Sequence, residues 1–330
     1  MPWSRWEYEM PTTLFSKSLR DLGGGTWAWI APPGTWNYSN AGLITDGDEA
    51  LLVDTLVDER LTGEMLDAMR TATGFGADRI ATLVNTNETS NHTWGNGLLK
   101  AATSYASAAA AQEMATDNGP QQIGKLLGAA PGMGELGQWF IDKFAAFDFE
   151  GLTPSGPDRT FSSEITLKVG KKDVHLIPVG PASTPGDIIV HSPVDRVVFA
   201  GDVISVGVTP ITWTGPVSGW IKACDRIMAL DVDTIVPGHG PLTDKAGVRK
   251  MRDYLTFVDQ EARKRHAAGM DAWATAQDIA LGEFARWPDQ GKLAVTVGTI
   301  FREIDQDASP PNLVEYFERI QQLDKKYAAG

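Results

Sequence analysis

The sequence predicts an α/β protein in which two β-sheets pack face to face beneath outer helices. Two observations carry this prediction. Short apolar runs typical of buried strands fall into two blocks, and segments with helical spacing of apolar residues lie between the blocks and after the second. Each block supplies strands for one half of a sandwich, and a chain of 330 residues is normal for one elaborated α/β domain.

The first block combines four predicted strands with one helix. The strands span residues 26–31, 41–44, 50–54 and 80–84. Residues 60–72 place apolar side chains at helical spacing, and Gly74 marks the predicted end of that helix. The last strand of the block is followed by a run of polar residues. Ligands of open α/β sheets gather at the carboxyl ends of strands, so this run lies where chemistry is expected.

The middle and the end of the chain are predicted to be largely helical. Residues 107–115 and 139–147 read as helices joined by a glycine-rich segment, 128–137. The second block of strands covers 165–169, 174–179, 188–191 and 197–200. From residue 245 onward the pattern is helical, and Pro310-Pro311 is predicted to open the last helix.

Composition excludes several functional classes. The 42 acidic and 29 basic residues give a net charge of -13, which opposes binding to nucleic acid or anionic membranes. No stretch reaches the ~18 apolar residues of a membrane span. Residues 1–9 lack the pattern of a signal peptide, and the single cysteine, Cys224, cannot form an internal disulfide. These observations predict a cytoplasmic protein.

Four polar landmarks recur after predicted strands. The first is the loop Val84–Asn96, with the sequence VNTNETSNHTWGN. The other three are Pro181–Asp187, Phe199–Asp202 and Ile235–Gly240. Together they contain histidine, aspartate and amide side chains, which are ligand types that zinc accepts.

The spacing and order of these landmarks resemble the metallo-β-lactamase superfamily. Its metal loop is usually T-H-x-H-x-D-H, followed by an H-T-x-G-D loop, a bridging Asp after a strand, and a G-H-G loop. The resemblance covers residues 25–240. It implies a four-layer αβ/βα sandwich as a single domain over 1–330, with a helical insertion at about 106–150 and a helical C-terminal region at about 244–330.

Set beside that pattern, the ligands private to the first metal are missing. Asn87 and Thr89 stand where the first two histidines of the loop belong, and Ser183 replaces the histidine of the H-T-x-G-D loop. Random decay would damage both metal sites alike. The losses instead fall mainly on one site.

The ligand set of the second metal is mostly kept. His92, Asp202 and His239 match it, and Asn91 takes the place of the loop aspartate. An asparagine oxygen can coordinate a metal but lacks the negative charge of aspartate. The resemblance therefore implies one zinc ion held by Asn91, His92, Asp202 and His239, more weakly than in an aspartate-containing site.

The resemblance has a closer component that concerns the substrate. The loop 85–96, Trp213–Pro216 and residues 236–241 are similar to a branch that hydrolyses activated aromatic compounds, including chlorothalonil dehalogenase and dinitroanisole O-demethylase. It implies a mononuclear zinc hydrolase that acts on a small activated aromatic or ester-like substrate. The residues predicted to contact the substrate are Thr89, Trp94, Ser183 and Trp213.

Two other interpretations remain open on the same residues. The chain could be a catalytically degenerate subunit that partners an active paralogue in a hetero-oligomer, since three histidines and the loop aspartate are missing. It could also keep the pocket without metal and contact substrate through Ser183, Thr89 and Asn91.

The remaining polar residues are interpreted as structural. His175, His191 and His266 lie outside the landmarks. Asp54 is predicted to brace the metal loop from behind the ligands. Glu88 and Ser90 are loop residues that could act on substrate, but they are interpreted as solvated or turn-forming.

Overall fold

Two β-sheets packed face to face form the centre of the protein in the computed structural model, which describes residues 18–32, 36–307, 309 and 312–328. The first sheet follows chain order and contains β1 (Ser18–Gly23), β2 (Thr26–Ile30), β3 (Ala41–Asp46), β4 (Glu49–Val53), β5 (Thr82–Val84), β6 (Thr103–Ser107) and β7 (Arg159–Phe161). The second has the spatial order β12-β11-β10-β9-β8 and contains β8 (Ile165–Val169), β9 (Lys172–Pro178), β10 (Ile188–Ser192), β11 (Val197–Phe199) and β12 (Thr234–Val236). The predicted sandwich is confirmed.

Helices cover both outer faces. The helices of the first half and the insertion are α1 (Glu59–Thr73), α2 (Ser90–Thr93), α3 (Ala108–Met114), α4 (Gly119–Ala129) and α5 (Gly134–Phe144). Those of the second half are α6 (Val217–Met228), α7 (Lys245–Ala267), α8 (Ala272–Asp278), α9 (Leu293–Asp305) and α10 (Leu313–Ala328). Helix α1 packs against the first sheet, whereas α6, α7 and α9 pack against the second. The result is the predicted four-layer α/β arrangement.

The two sheets are held together by an apolar core between them. Ile44 and Leu51 of the first sheet meet Leu176 and Phe199 of the second, and all four side chains are buried. Gly42 allows the closest approach, because a Cβ at this position would overlap the ring of Phe199. Burial of this apolar surface fixes the two sheets face to face, and the loops at their ends are fixed with them.

The structure contains elements that the sequence did not predict, among them β1, β6, β7, β12 and α4. Strand β6 was not predicted, because its sequence TSYAS has no apolar alternation; it lies parallel to β5. Ser107, predicted to be helical, is instead the N-cap of α3 and accepts a hydrogen bond from the amide of Ala110. Helix α4 was also missed, since its three glycines weaken the helical pattern.

The C-terminal region is mostly helical as predicted. Helices α7 to α10 are interrupted between Asp278 and Leu293, where the chain forms two short 3-10 turns. The predicted start of the last helix at Pro310-Pro311 lies outside the described residues. Among the helices built by the described residues, none has the length and apolar character needed to cross a bilayer.

Candidate metal centre

The four polar landmarks meet at one end of the sandwich. The loop after β5 contacts the start of β10, where the amide of Ile188 donates to the carbonyl of Thr86 (2.8 Å). The loops after β11 and β12 are joined by a bond from the amide of Gly238 to the carbonyl of Gly201 (2.7 Å). Asn40 donates its side-chain amide to the carbonyls of Pro237 and Gly240, both at 2.8 Å. Backbone hydrogen bonds therefore fix the relative positions of the loops.

Three predicted ligands converge at this end. His92 Nε2 lies 3.0 Å from Asp202 Oδ1, and His239 Nε2 lies 2.9 Å from the same oxygen. One ligand atom from each of the three residues falls within 4.8 Å of the others, so this group could hold a metal ion. His92 is fully buried, whereas the side chains of Asp202 and His239 are 16% and 24% exposed. The triad is thus reachable from one side.

Asp54 holds His92 from behind, as predicted. It follows β4 with a φ of 63°, and its carboxylate accepts hydrogen bonds from the amide (2.7 Å) and hydroxyl (2.6 Å) of Thr86. His92 Nδ1 lies 2.8 Å from Asp54 Oδ2. A carboxylate on one ring nitrogen fixes the orientation of the other, which is how metal-binding histidines are commonly held. His92 Nε2 is thereby directed at Asp202.

The carboxylates favour positive charge between them. Burial disfavours the charged form of His92, but the negative charges of Asp202 and Asp54 outweigh burial and raise the pKa of His92 to about 10. Burial alone would raise the pKa of Asp202, yet His92 and His239 outweigh it and hold that pKa well below its usual range. The site is therefore built to stabilise a cation beside Asp202.

The residues that replace the first-metal histidines occupy the other side of Asp202. Asn87 Nδ2 donates to Asp202 Oδ2 (3.1 Å), and Thr89 Oγ1 lies 3.2 Å from the same oxygen. Asn87 Oδ1 in turn accepts from the amide (2.8 Å) and hydroxyl (2.6 Å) of Thr89. The Asn87 amide therefore donates to Oδ2, and the Thr89 hydroxyl, whose single proton goes to Asn87 Oδ1 or to Asp202, lies beside it where a second metal would need imidazole ligands.

Asn91 contacts the triad through His239. Its side-chain Nδ2 lies 3.4 Å from His239 Nε2, the nitrogen that also faces Asp202. The oxygen and nitrogen of an amide have the same shape, so their assignment follows from the partners they meet. In the structure the amide nitrogen faces His239, and rotating the amide by 180° would direct Oδ1 at the triad, as a fourth ligand requires.

Ser183 lies beside this centre, but its hydroxyl points elsewhere. It donates to the Asp187 carboxylate, with distances of 2.8 and 2.9 Å to the two oxygens, and the serine side chain is buried. Asp187 also accepts from the amide of Thr184 (2.7 Å). Burial raises the pKa of Asp187 to about 8. Ser183 therefore holds the turn that carries Asp187, and its predicted contact with substrate remains a prediction.

A cavity of about 540 Å³ opens beside Asp202 and His239. All four predicted substrate contacts line it: Thr89, Trp94, Ser183 and Trp213. Sequence reasoning missed six further aromatic residues of the cavity wall, which are Trp36, Tyr38, Phe140, Phe144, Trp220 and Phe317. Phe140 and Phe144 come from α5 of the insertion and Phe317 from α10. Aromatic residues in these helices look like ordinary core residues, so only the fold reveals where they meet.

The cavity is lined by more acidic than basic groups. Its acidic residues are Glu88, Glu113, Asp117, Asp202 and Asp289. The lysine among the lining residues, Lys292, lies 3.4 Å from Asp289 and 4.9 Å from the centre of the Trp36 ring. No arginine lines the cavity among the described residues. Glu88, interpreted from sequence as a solvated turn residue, is instead partly buried and lines the cavity.

The remaining histidines lie away from the cavity lining. His175 and His191 are direct neighbours across β9 and β10. His266 of α7 pairs with Asp305 at 2.8 Å. Their interpretation as structural residues agrees with these positions.

Comparison with protein-family models finds a match to the metallo-beta-lactamase superfamily over residues 34–239. Comparison with curated proteins gave no significant match. Among solved structures, a metallo-beta-lactamase from Pontibacter korlensis superimposes with a TM-score of 0.55 and 16% identity, covering 72% of this chain and 98% of its own. The inverting sec-alkylsulfatase Pisa1 from Pseudomonas sp. gives a TM-score of 0.68 and 13% identity, covering 91% of this chain and 53% of its own. At these identities the similarity concerns the fold.

Proposed function

Because the chain belongs to the metallo-β-lactamase superfamily, we propose that it is a hydrolase that uses one zinc ion and acts on a small, uncharged, activated aromatic or ester-like substrate. The observation that carries the proposal is the asymmetry around Asp202. Its Oδ1 faces the two retained histidines, and its Oδ2 faces the amide and hydroxyl that replace two lost ones.

The residues of the retained side fit one zinc ion. His92, Asp202 and His239 offer two imidazole nitrogens and a carboxylate oxygen, the donor types that zinc prefers, and Asn91 would be the fourth. Ligand atoms on a tetrahedral zinc lie ~3.3 Å apart for bonds of about 2.0–2.1 Å. The distances from Asp202 Oδ1 to the nitrogens of His92 and His239, 3.0 and 2.9 Å, are a few tenths of an ångström shorter than this, and all three ligand atoms lie within 4.8 Å of one another.

Charge also fits a divalent cation. Asp54 and Asp202 together carry two negative charges around His92, and a zinc ion would balance both. Zinc in this position supplies Lewis-acid chemistry, polarising an acyl or aryl substrate and making water a better nucleophile at neutral pH. The protein itself fixes His92 through Asp54. It also leaves no ligand set for a second metal ion beside Asp202 Oδ2, which contacts Asn87 and Thr89.

The cavity supports an uncharged substrate. An anionic sulfate or carboxylate needs a free cation or several amide donors, and Lys292, the lysine of the described lining, is already paired with Asp289. A sulfate ester, the substrate class that the name of the sec-alkylsulfatase Pisa1 implies for that protein, would face a cavity lining with more carboxylates than basic groups. The aromatic wall instead suits a planar apolar group, which favours the branch of chlorothalonil dehalogenase and dinitroanisole O-demethylase.

The zinc-loaded protein is expected to hydrolyse 4-nitrophenyl acetate or 2,4-dinitroanisole but not 4-nitrophenyl sulfate. All three probes release a coloured phenolate, so one absorbance assay compares them. Chelation should remove the activity and zinc should restore it. Turnover of the sulfate alone would contradict the proposed substrate class, and no turnover of any probe by zinc-loaded protein would contradict the proposed function.

A second candidate, the non-catalytic partner of an active paralogue, is favoured by one observation. Asp202 is surrounded by four polar groups, His92, His239, Asn87 and Thr89, which satisfy its carboxylate without a metal. Co-purification with a homologous chain that has an intact metal loop would support this role. Turnover by the isolated chain that is lost in His239→Ala would exclude it.

A further inference from the structure

The loop between β5 and α2 places a carboxyl group in the cavity beside the candidate metal centre. Glu88 lies next to Thr89, whose hydroxyl is within 3.2 Å of Asp202. We propose that Glu88 is the residue that moves the proton during hydrolysis, taking it from the attacking water and giving it to the leaving group. This role rests on the proposed function.

The other carboxyl groups of the cavity are already engaged or exposed. Asp117 accepts hydrogen bonds from the indole of Trp94 (2.6 Å) and the amide of Gly119 (2.8 Å). Asp289 lies 3.0 Å from Lys143 and 3.4 Å from Lys292. Asp202 belongs to the metal centre. Glu113 is exposed to solvent. Glu88 is left as the shielded carboxyl group that no lysine, arginine or histidine of the described residues pairs with.

The contacts of Glu88 hold it while leaving part of it available. Its Oε2 accepts from the hydroxyl of Thr184 (3.1 Å), and that hydroxyl oxygen accepts from the amide of Gly186 (3.2 Å). The carboxyl group also accepts from the backbone amide of Glu88, but among the described residues no side chain donates to the other oxygen, Oε1. One oxygen is thus anchored by a fixed turn, and the second can meet water or substrate in the cavity.

The environment of Glu88 suits proton transfer near neutral pH. Burial raises the pKa of Glu88 to about 7, and the nearby charges of Glu113 and Asp202 act in the same direction. A group that is half ionised at the working pH can both accept and donate a proton. An ordinary exposed glutamate would be fully ionised and a poor acid.

The proton balance can be written for an ester. The Glu88 carboxylate accepts a proton from water as the water oxygen bonds to the acyl carbon, and the carbonyl electron pair moves to its oxygen. That pair then re-forms the double bond, the bond to the leaving group breaks with its electrons on the departing oxygen, and Glu88 returns the proton there. Ester and water become acid and alcohol, and Glu88 is regenerated.

The test compares Glu88→Gln, Glu88→Asp and the matched control Glu150→Gln, which neutralises an exposed glutamate that does not line the cavity. With zinc-loaded protein and 4-nitrophenyl acetate, Glu88→Gln should lower kcat by about 100-fold or more. It should also remove the rise of kcat/KM through pH 7 and leave zinc content unchanged. The loss should be larger with phenyl acetate, because its phenolate leaves less readily without a proton. Glu88→Asp should restore part of the rate, and Glu150→Gln should behave as wild type.

An active wild-type enzyme whose Glu88→Gln variant keeps its rate and pH profile would overturn the role of Glu88 alone. A zinc-loaded wild type that hydrolyses neither acetate nor 2,4-dinitroanisole would overturn the proposed function, and the role of Glu88 with it.

Discussion

Replacing His239 by alanine is expected to abolish zinc-dependent turnover and to lower zinc affinity on the order of 100-fold or more. His239 supplies one of two imidazole nitrogens that face Asp202 Oδ1. Its side chain is 24% exposed at the cavity, so its removal leaves the buried core intact. Zinc affinity is measured by competition with a chromogenic chelator, and turnover with 4-nitrophenyl acetate.

The matched control is His175→Ala, which removes a partly exposed imidazole from β9 in the second sheet. This variant should bind zinc and turn over substrate as wild type does. A His239→Ala protein that keeps its zinc and its activity, with the thermal unfolding temperature unchanged, would show that the triad is not the catalytic centre.

Replacing Asn91 by aspartate is expected to raise zinc affinity by about 10- to 100-fold. Asn91 lies 3.4 Å from His239 Nε2, and a carboxylate there adds a second negative charge to a ligand set that has only Asp202. Charge attraction to a divalent ion across a partly shielded site accounts for the gain. The same chelator competition measures it.

Asn118→Asp is the control for this change, because it adds the same charge to an exposed position of the same cavity. It should leave zinc affinity near that of wild type. An equal gain in zinc affinity in both variants would show that the added negative charge acts at a distance and not as a ligand. No gain in Asn91→Asp would remove Asn91 from the ligand set.

The fold was largely predictable because most buried strands are short runs of apolar residues that can be recognised in the sequence. The run Ala50–Val53 is apolar throughout and lies in β4, whereas β6, whose sequence TSYAS has no apolar alternation, was not predicted. Helix α4 was not predicted because its three glycines have low helix propensity. Local sequence predicts an element only when the residues themselves prefer it, and β6 is specified by pairing with β5 and β7.

The sequence indicated which residues belong to the candidate site, but it did not indicate which atoms these residues contact. The resemblance pointed to Asn87 and Thr89 as lost ligands, but only the structure puts both on Asp202 Oδ2, opposite the retained histidines. The brace from Asp54 to His92 was foreseen. The burial of Glu88 was not, since it depends on Thr184, which lies far along the chain in another loop.

We propose that Asp202 Oδ1, with His92 and His239, keeps a metal site, whereas Asp202 Oδ2 contacts Asn87 and Thr89 in place of a second metal. Native mass spectrometry of metal-free protein titrated with zinc tests this claim most directly. We expect saturation at one zinc ion per chain and loss of that ion in His239→Ala. Saturation at two ions, or no specific zinc bound at all, would contradict it.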